Sequence, residues 1–177
     1  MSRHQHDRAK AAFARALNRL RNLPGLGCVN SQPLTSTQAD DLAIRAQDTI
    51  VEAFLWARAF DDAARGNDGA RTLPGYRDKR PDKTMEAMRY VANKGIHVLL
   101  ELTAVTQEAA FGPWGANPWG GSVHATRLAW VSDKNKIPAP RKGNESDEKQ
   151  HKAFCDHWKG KPVMPAVDDI EAWVLSW

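Results

Sequence analysis

The chain has 177 residues, 42% of them hydrophobic and 26% charged, with a formal net charge of +4. That length and balance fit one globular domain with a real core, and they exclude a disordered or fibrous chain. No run of about 18 apolar residues occurs, so no membrane-spanning helix is expected. The polar start, Met1-Ser-Arg-His-Gln-His, argues against a secretory signal, and the cytoplasm is the expected compartment. Cys28 and Cys155 are the only cysteines and suggest no disulfide framework. The basic balance is compatible with an acidic partner such as nucleic acid.

The spacing predicts an amphipathic helix from about Arg3 to Leu23, with Phe13, Leu17 and Leu20 on its apolar face. Pro24-Gly25 ends it. Thr35 and Gln38 stand at capping-box spacing and open a long helix to about Arg65. Leu42, Ala46, Ile50, Ala53, Phe54, Ala57 and Phe60 mark its buried side. Gly66-Asn67-Asp68-Gly69 stops it. The loop over 66–83 is basic, with Arg71, Arg77, Lys79, Arg80 and Lys83 outnumbering its aspartates. It reads either as a solvated linker or as a phosphate-contacting flap.

A central helix is expected from Pro81-Asp82 to about Phe111. Met88, Val91, Val98, Leu99, Leu102 and Val105 fall on one side of it, and Glu86, Arg89, Asn93, His97 and Glu101 on the other. Asn93 and Gly95 are poor helix formers, Gly by about 1 kcal/mol against Ala. Their presence in mid-helix suggests a functional contact or close packing that offsets the cost.

Gly112 to Gly121 is a Trp-rich irregular segment in which Trp114 and Trp119 cap a core or stack on bases. Ser122 to Val131 permits a short strand, and Ser132 to Lys136 a turn. Two shorter helices follow, from about Asp147 to Trp158 and from about Val167, the last carrying Ile170, Trp173, Val174 and Trp177 inward. Long helices without interleaved strands predict an all-α helical bundle of three to four main helices, a Trp-rich irregular C-terminal segment and short terminal helices. Residues 1–177 read as a single domain, with a core over about 1–111 and an extension over 112–177.

Several chemistries are disfavoured by what is missing. No glycine-rich phosphate loop, Cys-x-x-Cys pair or Gly-x-Ser-x-Gly elbow occurs. His151, Cys155 and His157 are too few for a structural zinc site, so neither metal nor cofactor is expected.

The segment Ala92-Asn93-Lys94-Gly95-Ile96-His97 resembles the signature of the HEPN superfamily of helical nucleotide-binding and ribonuclease domains. Asn93 and His97 match, and Ala92 stands at the family's arginine position. Arg89-Tyr90, Trp130, Ile137-Pro-Ala-Pro140 and Gly160-Lys-Pro-Val163 are similar to features of a group of actinobacterial HEPN-like chains. The resemblance implies a metal-independent endoribonuclease, acting as a toxin or abortive-infection effector on RNA. In it, the ribose 2′-hydroxyl attacks the neighbouring phosphate, His97 is the general acid/base and Asn93 orients. It further implies a homodimer that pairs two motifs across a groove, and an antitoxin or regulatory partner. Ala92 offers no guanidinium. Either this copy is inactivated, or Arg89 substitutes from one turn earlier, or the arginine was replaced. RNA contacts are expected from Arg77, Lys79, Arg80 and Lys94. The alternatives are a non-catalytic HEPN-type nucleotide- or RNA-binding module and a helical protein-interaction scaffold.

Overall fold

A computed structural model describes residues 3–23, 29–30, 34–66, 72–94, 99–108 and 122–177. The chain folds as a helical bundle. The helices among the described residues are α1 (Arg3–Arg21), α2 (Ser36–Arg65), α3 (Tyr76–Lys79), α4 (Asp82–Lys94), α5 (Glu145–His157) and α6 (Val163–Leu175). The capping box forms as its sequence requires: the Gln38 amide donates to the Thr35 hydroxyl, and Gln38 accepts from the Thr35 amide at 2.9 Å. Gly66 closes α2 in the left-handed conformation, φ 79°, where a residue with a Cβ would be strained. All seven apolar residues assigned to the α2 core are buried.

The central helix is shorter than its apolar pattern suggests. It ends at Lys94, and Leu100–Glu108 is strand β2, not helix. The physical reason lies in the residues themselves. Thr103, Val105 and Thr106 are β-branched and sit in an alternating segment, so extended backbone suits them better than a helical turn. Asn93 therefore stands in the last turn of α4, where a poor helix former costs less than in mid-helix.

Strand β2 pairs antiparallel with β3 (Ser122–Trp130), from Leu100 opposite Trp130 to Glu108 opposite Ser122. The two-residue strand β1 (Val29–Asn30) lies on the other side of β3, giving the order β1-β3-β2. Beyond the ladder, the Val131 amide donates to Leu99 at 2.9 Å, and the Trp130 amide donates to the Lys161 carbonyl at 2.9 Å. The expected turn after β3 is a 3-10 turn over Lys134–Lys136, capped by Asp133.

The C-terminal segment is not a separate layer. Trp130, Phe154, Trp158, Trp173 and Val174 join Phe13, Phe54 and Phe60 in one buried cluster. Trp130 and Trp158 stack at 4.9 Å with an interplanar angle of 14°, and Phe54 lies within 6.0 Å of both rings. A core bounded at residue 111 is therefore incomplete, because its aromatic centre is supplied from beyond it. Of the central stripe, Met88, Val91 and Leu99 are buried as expected. His97 and Val98, and the side chains of Leu102 and Val105, lie outside the described residues. So do Arg71, Gly95, Trp114 and Trp119.

Candidate functional site

The polar side of α4 splits into two environments. At its N-terminal half, Glu86 and Arg89 turn inward toward a carboxylate on α2. Asp61 falls on the buried stripe of that helix and is 0% exposed. A carboxylate there must be paired to stay ionised. Tyr76 Oη donates to its Oδ1 at 2.5 Å, Arg80 Nε at 3.0 Å, and Arg89 Nε and Nη2 reach its Oδ2 at 2.9 and 2.6 Å. Arg80 also bonds Asp82 and Glu86, and Arg89 bonds Asp62. Burial works to raise the Asp61 pKa, but the bonds from Arg80, Tyr76 and Arg89 outweigh it, and the carboxyl is held below its ordinary range.

Two expectations are corrected by this cluster. Glu86 is 7% exposed and lines no solvent face. Arg80, expected to contact RNA, keeps a side chain only 5% exposed and is consumed by Asp61, Asp82 and Glu86. Arg89 is likewise held by Asp61 and Asp62, with a side chain only 11% exposed.

At the C-terminal end of α4 the environment is different. Asn93 sits in a hydrogen-bond chain whose donors all run one way. Arg58 Nη1 donates to Asn93 Oδ1 at 2.7 Å, Asn93 Nδ2 to Gln150 Oε1 at 3.0 Å, and Gln150 Nε2 to Ser146 Oγ at 3.1 Å. Ser146, in the first turn of α5, is exposed. This chain opens on a cleft of about 280 Å³ rimmed by Lys94, Arg141 and Asn144. Lys94 pairs with Asp147 at 2.8 Å and reaches the Ala139 carbonyl. The Lys94 bond, with the Arg141 amide at 2.5 Å, holds the Asp147 carboxyl below its usual range. Arg141 itself is exposed. The cleft is thus polar, mixed in charge and cationic at its rim.

Ala92 is half-buried in the last turn of α4, next to Asn93. Arg77 is exposed, and Lys79 lies 4.7 Å from the ring centroid of Trp177. Neither belongs to the Asn93 cleft, so the structure separates the expected RNA-contacting residues and brings only Lys94 beside Asn93. Arg58, Arg141, Asn144 and Gln150 escaped the sequence reading. They join Asn93 across 35 to 57 residues of chain, and no local spacing signals such a meeting.

Models of known families, curated proteins and solved structures give no match to this chain.

Among the described residues, no three His, Cys, Asp or Glu side chains converge as metal ligands. His151 Nε2 lies 3.6 Å from Cys155 Sγ, and burial pushes that thiol's pKa up, away from a reactive thiolate. No described helix is long and apolar enough to cross a membrane.

Proposed function

We propose that the chain is a HEPN-like, non-catalytic RNA-binding module of the cytoplasm. Its ribonuclease chemistry is absent for want of an arginine at position 92. The observation that carries this reading is the Arg58–Asn93–Gln150–Ser146 chain opening on a cleft with Lys94 and Arg141 at its rim. Guanidinium and ammonium groups beside fixed amides suit a phosphate backbone, and the amide chain fixes where it sits. The engagement of Arg89 with Asp61 and Asp62 supports the absence of cleavage. With arginine restored, the reading makes the chain a metal-independent endoribonuclease of the toxin or abortive-infection kind. His97 then exchanges the proton of the 2′-hydroxyl, and two chains of a homodimer bring their motifs together.

The test has two parts. Labelled single-stranded RNA titrated against the protein should bind with a steep salt dependence, and Arg141→Glu should weaken binding several-fold and flatten the slope by about one. The Ala92→Arg form should cut RNA in chelator and leave 2′,3′-cyclic phosphate ends, at about 10²–10³ times the rate of the unaltered chain. Adding His97→Ala to Ala92→Arg should abolish that gain. Absence of salt-dependent RNA binding overturns the reading and leaves the protein-scaffold alternative.

A further inference from the structure

A second cleft, of about 420 Å³, lies where three elements meet. Lys83 and Thr84 enter it from the first turn of α4, His157 from the end of α5, and Lys161 from the turn that leads into α6. Trp158, Pro162, Pro165 and Ala166 form its apolar wall. The volume falls within the range of small-molecule sites, about 300–1,000 Å³.

Its lining carries two lysines against one carboxylate. Lys83 and Lys161 are exposed and form no ion pair among the described residues. Asp169 is the one carboxylate of the lining. Asp156, within electrostatic range of Lys83 and His157, is already paired with Lys152 at 2.7 Å. The start of α6 adds no opposing charge, since its first turn has no acidic residue and its Pro162 cap offers no side-chain acceptor. The start of α5 is the reverse case, with Glu145, Asp147 and Glu148 in its first turn and Asn144 as cap.

Lys161 is also held in place. Its carbonyl accepts from the Trp130 amide, its own amide donates to Trp158 at 2.9 Å, and the Gly160 amide reaches Val131 at 3.3 Å. Gly160 has φ +69°, so the turn is built with a residue that takes this conformation without strain.

We infer that this cleft binds a phosphate monoester carried on a small organic body of about nucleotide size. Two ammonium groups and an imidazole from three elements surround the dianion, Thr84 offers a hydroxyl donor, and the proline wall covers the sugar. The same chemistry is presented by a free sugar phosphate and by the 5′-phosphorylated end of an RNA. The inference stands apart from the Asn93 cleft, with which it shares no residue.

The test uses the full chain. Ribose 5-phosphate, titrated calorimetrically, should bind, and ribose should not. Lys83→Ala and Lys161→Ala should each weaken binding about tenfold, the loss expected for one charge-assisted contact. The double variant should abolish it, and Arg15→Ala on α1 should leave it unchanged. Both lysines are exposed, so melting temperatures should stay the same. In parallel, a 5′-phosphorylated RNA oligonucleotide is compared with its 5′-hydroxyl form. A preference for the phosphorylated end that the double variant loses assigns the source to RNA. Equal binding of the two oligonucleotides, with ribose 5-phosphate still bound, assigns it to a free ester. Equal binding of ribose and ribose 5-phosphate, or a double variant as good as the parent, overturns the inference.

Discussion

Asp61 stands where the periodicity of α2 asks for an apolar side chain, and its partners come from 15, 19 and 28 residues further along. That place on the apolar stripe is the one local signal that sets it apart from the exposed aspartates of the same helix, and it does not say which cations will pair with it. Arg80 and Arg89 were legible as cations, but their direction was not, because the carboxylate that captures them is distant in the chain. Removing Asp61 leaves two guanidinium groups buried without their main acceptor. Asp61→Ala should therefore cost about 3–5 kcal/mol in urea denaturation. The same carboxyl makes stability depend on acidity. Its folded pKa lies below its ordinary 3.8, so its stabilisation is present above that value and is lost as pH falls through the lower folded one. Denaturation midpoints should drop steeply below about pH 4 in the parent, and the Asp61→Asn variant should lack that part of the acid limb.

At the scale of elements, the cap and the buried stripe of α2 were read correctly and the helix-to-strand change was missed. Thr35 and Gln38 announce the start of α2 by chemistry that is local, a hydroxyl and an amide meeting backbone groups three residues away. Thr35→Ala should cost about 1 kcal/mol in thermal denaturation, with faster hydrogen exchange in the first turn of α2. Leu100–Glu108 behaves differently. Its apolar residues satisfy a helical stripe as well as a strand, and its partner, β3, lies beyond the irregular segment. The weak alternation of Ser122–Trp130 was legible, but what it paired with was not. Asn93 was noticed for its poor helix formation, but it stands in the last turn of α4 and not in mid-helix.

For the whole molecule, the bundle was legible because long amphipathic helices have few ways to bury their faces. The candidate site was legible only at Asn93 and Lys94, which α4 carries, while α2 and α5 supply the rest. A chain ended at residue 111 should fail to fold, as judged by lost near-ultraviolet circular dichroism and early proteolysis. It lacks Trp130 and Trp158, against which Phe54 packs, and Phe154, which packs against Trp130. The Trp130–Lys161 hydrogen bond has a further consequence for distance within the molecule. Lys161 and Leu99 are far apart along the chain, yet the turn bearing Lys161 hangs on Trp130, and the next residue, Val131, hangs on Leu99. This link at the end of strand β3 ties the turn beside the second cleft to the start of β2 by a short bonded path. That turn and the start of β2 are anchored to two adjacent peptide groups, those of Trp130 and Val131.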